Sequence, residues 1–254
     1  MTKDILVFGM KRSGHHAIIE WLMKRIPYKV TFKNCIAQFK PIPNDFDQIA
    51  NKNSDGLIRI ANYEDPDLSE YSQHSRDVNV QRILVLRDPY NLMASRKNVD
   101  SSAIHMKGER YVSLTESIYL WKQHAKEALS PKYIYPYTIL FNQWFSDSSY
   151  RFQICKDLGL MLNDNPLKNV PTYGGGSSFD GCSFMGKAQE MNVLNRFQKY
   201  INDKKFMKLF DEECTELNKK LFNFKIKPKK SKPKKSKQVN DRFKKRLKSF
   251  KKPS

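Results

Sequence analysis

Asp4-Ile-Leu-Val-Phe-Gly-Met-Lys-Arg-Ser-Gly-His-His-Ala17 changes character twice within fourteen residues. Ile5–Phe8 is a short apolar run, as expected of a strand buried on both faces of a parallel sheet. Gly9–His16 is a charged turn bounded by glycines. Ala17, Ile18, Trp21, Leu22 and Arg25-Ile26 then recur at helical spacing. Strand, glycine-bounded loop and helix together open a nucleotide-binding βα unit.

Within that turn, Gly9 and Gly14 have the GxxxxG spacing of a phosphate-cradling loop. Two glycines let the backbone wrap an anion closely, and the following helix adds the positive end of its dipole. A nucleoside-triphosphate loop would continue with Lys and then Ser or Thr, for the outer phosphates and magnesium. Here those places hold His15 and His16, and the cations Lys11 and Arg12 lie inside the loop. The pattern points to an anion gripped without magnesium and argues against an ATPase or GTPase.

Moving outward, Arg82-Ile-Leu-Val-Leu86 is the clearest other buried strand. It runs into Arg87-Asp-Pro, and Ser95 follows eight residues after Arg87 on an expected helix. The C-terminal end of a strand beside the first βα loop is where open α/β sheets hold ligands. Arg87 could fork two hydrogen bonds onto a phosphate, although it could equally pair with Asp88. Gly56–Ala61 and Tyr133–Phe141 read as further strands. Leu114, Ile118, Trp121, Ala125 and Leu129 form one helical face, and Phe152–Leu158 form a helix stopped by Gly159. Residues 27–56 read as loops and short elements, and 187–222 as one or two basic amphipathic helices. The alternation predicts an α/β fold: a P-loop-type, mostly parallel sheet flanked by helices over 1–224.

Lys11-Arg-Ser-Gly-His-His16 after the first strand resembles the 5′-phosphosulfate loop of sulfotransferases, usually Pro-[Lys/Arg]-Ser-Gly-Thr-Thr. Arg87-Asp-Pro…Ser95 resembles their 3′-phosphate motif. The resemblance covers residues 3–160 well and 161–224 poorly. It implies a transferase that moves a sulfuryl group from 3′-phosphoadenosine 5′-phosphosulfate (PAPS) to a hydroxyl or amine acceptor, without a metal. Carried over, Lys11, Arg12, Ser13, Gly14, His15, His16 and Ala17 hold the 5′ end of the donor. Arg12 is the cation on the leaving phosphate, and Arg87 and Ser95 take the 3′-phosphate. Family members place a basic His or Glu near an early strand end, which makes Glu64 the first candidate for base. Asp65 is its rival, and His16 and His105 are outsiders. The chain departs from the pattern at Lys11, at His15-His16, and in lacking an evident C-terminal Arg-Lys-Gly loop. Gly174–Ser178 stands in roughly that part of the chain and reads equally as a surface turn.

Of the formal charge of +20, residues 225–254 supply fifteen Lys/Arg against one acid. This Lys-rich tail is expected to be disordered and able to contact polyanions or anionic membranes non-specifically. Four cysteines without CxxC spacing read as free thiols of a reducing compartment. His74 and His124 read as surface residues, and no spacing suggests a metal site. No stretch approaches the ~20 apolar residues of a membrane span, and no leader is visible, so a soluble cytoplasmic protein is expected. Two alternatives stand beside the transferase: a P-loop kinase or hydrolase, and a polyanion-binding protein acting through its tail. The acceptor, a glycan or a small hydroxylated metabolite, has no legible code.

Overall fold

The computed structural model describes residues 4–36, 57–67, 80–100, 112–130, 137–162, 168–172 and 176–224. The expected tail 225–254, His74, His105 and residues 174–175 of the 174–178 loop lie outside them.

Five strands, β1 (Asp4–Gly9), β2 (Lys29–Ile36), β3 (Leu57–Glu64), β4 (Val80–Leu86) and β5 (Tyr137–Leu140), form one all-parallel sheet in the order β2-β3-β1-β4-β5. Helices flank it: α1 (His15–Met23), α2 (Pro89–Asp100), α3 (Leu114–Leu129), α4 (Phe141–Ser146) and α5 (Ser148–Leu158). Chain order reverses around β1, so the crevice at its C-terminal end is the switch point where such sheets bind ligands. The register fixes what reaches it. Gly9 is opposite Glu64 of β3 and Val85 of β4, and Leu86 is opposite Leu140. Glu64, Gly9, Arg87 and Phe141 therefore reach one edge together.

Residues of β1 alternate between the two faces. Ile5 and Val7 pack with Ile18, Ile19, Trp21 and Leu22 of α1, and with Trp144 and Ile154. Leu6 and Phe8 pack with Ala61, Tyr63 and Leu84 on the other side. A further cluster joins Leu92 and Met93 of α2 and Trp121 of α3 to Phe197, Phe206 and Leu217.

Several expectations need correction. Residues 29–36 form the edge strand β2, whose Val30 and Phe32 pack on the core while Lys29 and Lys33 alternate with them; that polar alternation on an edge hides the strand from a search for apolar runs. Residues 187–222 are broken more finely than one or two helices. They form two 3-10 turns (Ala188–Glu190 and Arg196–Tyr200), then α6 (Lys204–Met207) and α7 (Glu212–Phe222), with Asp203 and Asp211 as side-chain N-caps. His124 is fully buried, with Nε2 2.9 Å from the Pro66 carbonyl, and burial lowers its pKa. Leu129 is exposed at the end of its helix. Among the described residues no helix is long and apolar enough to cross a membrane.

Candidate active site

The loop between β1 and α1 is held in a strained shape. Arg12 has φ 71° and Gly14 has φ 86°, both left-handed. For Arg12 this costs about 1–2 kcal/mol. Gly14 has no alternative: a Cβ there would lie 2.2 Å from the Phe141 ring. The surroundings hold the loop in place. Arg96 of α2 forms a bidentate pair with Asp65 (2.7 and 3.2 Å) and reaches the Lys11 carbonyl (3.3 Å), while the Lys11 N–H donates to Asp65 (3.1 Å). Asp65, the rival base, is thus a strut committed to Arg96. Ala17 and Ile18 N–H groups reach back to the Gly14 carbonyl (3.0 and 3.3 Å). The Ser13 N–H donates to the Met10 carbonyl (2.9 Å), and the Gly14 and His15 amides stand at the positive N-terminal end of α1.

Arg87 lies across this loop, fully buried. Its guanidinium donates to the Arg12 carbonyl (3.0 Å), to Ser95 Oγ (3.3 Å) and to the Val193 carbonyl, and it stacks over Phe141 at 5.0 Å. Asp88 is not its partner. That carboxylate caps α2 through the Asn91 N–H (2.9 Å) and accepts from Asn91 and Asn142 side chains. The Arg87 carbonyl accepts from Trp121 Nε1 (2.8 Å), which locks the strand end to α3.

Arg196 is a member that the sequence did not announce. It sits in a 3-10 turn, nearly buried, and reaches the same Ser95 Oγ (3.3 Å) as well as Ser177 (2.6 Å), Ser178 (3.4 Å) and Asp180 (3.0 Å). The described end of the 174–178 loop therefore touches the cluster through its serines. A lone Arg in a basic third of the chain carries no spacing signal, and only the fold brings it in. The cations feel one another. Burial and then Arg196 push the Arg87 guanidinium down to about 9. Burial lowers Arg196, partly offset by Asp180 and reinforced by Arg12. Burial lowers Arg12, opposed by Glu64 and reinforced by Arg96.

On the other side of the loop, Glu64 meets both histidines. Its Oε1 is 2.9 Å from His15 Nε2 and 3.5 Å from His16 Nε2, and its Oε2 is 3.9 Å from Lys11 Nζ. His15 is buried, with Nδ1 3.1 Å from Ser13 Oγ. Asn62 turns its amide to both rings (3.1 and 3.3 Å), and Asn34 Oδ1 is 2.9 Å from His16 Nε2. Burial and the neighbouring His15 lower His16 to about 4, so its ring is neutral at pH 7. The ligand-type atoms of His15, His16 and Glu64 lie within 4.8 Å of one another, a cluster that their sequence spacing does not reveal. Ala17 lines a half-open groove of about 330 Å³ beside the loop, with Trp21, Phe141, Trp144 and Lys168 among its walls. The indole Nε1 atoms of Trp21 and Trp144 are buried and have no partner among the described residues.

The candidate residues expected from sequence gather at one end of the sheet, and of these Ala17 lines the groove. Lys11–Ala17 form the loop there, with Arg87 and Ser95 on one side and Glu64 on the other.

Neither a protein-family model nor any curated protein sequence matches the chain. Among solved structures it is similar to mouse sulfotransferase SULT7A1 complexed with PAP, at 15% identity over 83% of this chain and 84% of that one, TM-score 0.47. It is similar also to a retinol dehydratase in complex with androsterone and inactive cofactor PAP, at 14% identity over 88% and 82%, TM-score 0.44. A third is a sulfotransferase from Alicyclobacillus acidocaldarius, at 12% identity over 88% and 97%, TM-score 0.40. Likeness of this degree carries over neither substrate nor residue roles.

Proposed function

We propose that this chain is a sulfotransferase that takes PAPS as donor and passes its sulfuryl group to a hydroxyl or amine acceptor, carbohydrates included. The observation that carries this reading is the assembly of Arg12, Arg87 and Arg196, from three separate parts of the chain, around Ser95 and a glycine-bounded loop. Buried guanidiniums that lower one another's pKa are costly until an anion arrives, and perturbed groups of this kind gather at functional sites. A doubly phosphorylated donor suits two anion subsites. The loop with Arg12 takes the 5′ end, and Arg87, Ser95 and Arg196 take the 3′-phosphate. The groove beside Ala17 suits a flat heteroaromatic base, since Trp21, Phe141 and Trp144 line it.

Sulfuryl transfer, like phosphoryl transfer, runs in line through a loose transition state, where the protein positions the reactants and neutralises charge. Arg12 and the loop amides face the oxygen on which charge grows as the leaving phosphate departs. Glu64, oriented by His15 and within reach of Lys11, takes the acceptor's proton. The bond formed is acceptor oxygen (or nitrogen) to sulfur; the bond broken joins sulfur to the bridging phosphate oxygen.

The test is incubation with labelled PAPS and a panel of hydroxylated and amino acceptors, with Arg12→Ala as control. Label transfer that Arg12→Ala loses supports the reading. Thermal stabilisation by ATP with magnesium but not by adenosine 3′,5′-bisphosphate (PAP) would favour a kinase or hydrolase instead.

A further inference from the structure

Two imidazoles adjacent in sequence do not normally face one point, because neighbours on a helix diverge by about 100°. Here they do converge. His15 opens α1 directly after the left-handed Gly14, and the two rings lie 4.2 Å apart. Their Nε2 atoms are directed to one carboxylate oxygen, Glu64 Oε1, at 2.9 and 3.5 Å, with all three ligand-type atoms inside 4.8 Å. In a tetrahedral site with bonds of ~2.0–2.1 Å, ligand atoms stand ~3.3 Å apart, so these separations are close to those a small ion requires.

We infer that His15, His16 and Glu64 form a binding site for a zinc-class divalent cation, with two nitrogens and one carboxylate as ligands. The surroundings are those of a supported metal site. Ser13 Oγ, 3.1 Å from His15 Nδ1, can accept that ring's proton, which leaves the Nε2 lone pair for the ion. Lys11 Nζ lies 3.9 Å from Glu64 Oε2. Asn62 lies against both Nε2 atoms, and turning its amide by half a rotation would offer Oδ1 as a further oxygen ligand. Imidazole with a single carboxylate selects borderline ions such as Zn²⁺ or Co²⁺ over Mg²⁺ and Ca²⁺, which favour all-oxygen shells. Three protein ligands leave a coordination position open at the loop. The inference shares His15 and His16 with the proposed donor loop and Glu64 with the proposed base: an ion on Oε1 occupies the carboxylate that would otherwise take the acceptor's proton, so metal occupancy and that role compete.

The full chain, stripped with chelator, is titrated with Co²⁺ followed by visible absorption, and with Zn²⁺ in competition. One equivalent should bind, with d–d bands free of sulfur-to-cobalt charge transfer. Glu64→Gln, which keeps the shape of the side chain, and the less buried His16→Ala should each weaken binding by ~100-fold or more with unchanged circular dichroism. Absence of one-to-one binding at micromolar cobalt, affinity in the two variants unchanged from the parent, or a thiolate charge-transfer band overturns the inference. PAP-induced thermal shifts on the same samples report the donor loop separately, so loss of one reading is distinguishable from loss of the other.

Discussion

Replacing Arg87 with Met separates what the buried cation costs from what it binds. The folded protein pulls this guanidinium down to about 9 from an ordinary value near 12.5, which corresponds to roughly 4–5 kcal/mol against keeping it charged at neutral pH. Removing it relieves that cost. It also leaves the Arg12 and Val193 carbonyls without their donor, at about 1–3 kcal/mol each. The two offset one another, so the ligand-free variant should unfold within about 3 kcal/mol of the parent in urea. Donor affinity has no such compensation. Loss of a desolvated, charge-assisted partner costs about 2–4 kcal/mol, or ~30- to 1,000-fold in Kd for PAP. Calorimetric titration of PAP, paired with urea unfolding, reads both quantities. Arg87→Lys keeps the charge without the fork and should fall between the two. A folded Arg87→Met protein that binds PAP within threefold of the parent would refute the assignment of this wall of the crevice to the 3′-phosphate.

Gly14→Ala should destabilise the fold by more than about 2 kcal/mol, seen as a lower Tm, because a left-handed φ and a ring 2.2 Å from the new methyl leave it no room. Glu64→Gln should cut turnover sharply with PAP affinity little changed, whereas Asp65→Asn should lower Tm by unpairing the buried Arg96, so equal behaviour of the two would undo the distinction between base and strut. His124 binds a proton less readily folded than unfolded. Its stabilising contribution is therefore full above about pH 6.5 and is lost as pH falls from there through the lower folded value, and His124→Gln should flatten urea midpoints across that window. Deleting residues 225–254 should remove salt-sensitive polyanion retention on heparin resin and leave PAP binding intact; loss of both would place the tail within the binding domain.

The elements that position the crevice were legible because each has a local cause. An apolar run ending at Gly9, another ending at Leu86, and helical periodicity after each leave little choice of element or order. Lys11–Ala17, Arg87 and Ser95 were legible because their spacing is set by one loop and one helix turn. Glu64 was named because the resemblance implies a base near an early strand end, and the register sets it opposite Gly9. What stayed hidden depends on contacts far apart in the chain. Arg196 reaches Ser95 across 101 residues, and no local pattern distinguishes it from its basic neighbours. His124 has the sequence surroundings of a surface residue, yet the descent of β3 into Pro66 covers it. The convergence of His15 and His16 follows from the left-handed Gly14, a backbone detail that residue identities do not disclose.

The bond from Arg87 to the Val193 carbonyl spans 106 residues, and Arg196 closes the same corner of the crevice. During synthesis the glycine loop emerges early, but the partners that Arg87 and Ser95 find in Val193 and Arg196 arrive only after residue 196 has left the ribosome. Until then Arg87 lacks the Val193 carbonyl as acceptor, and on the proposed reading a nascent chain stalled short of that point would carry the glycine loop yet retain no donor. If the crevice holds the donor proposed above, late closure of this kind would tie its capture to completion of the segment from Val193 onward, and PAP retention would then report when that segment has docked.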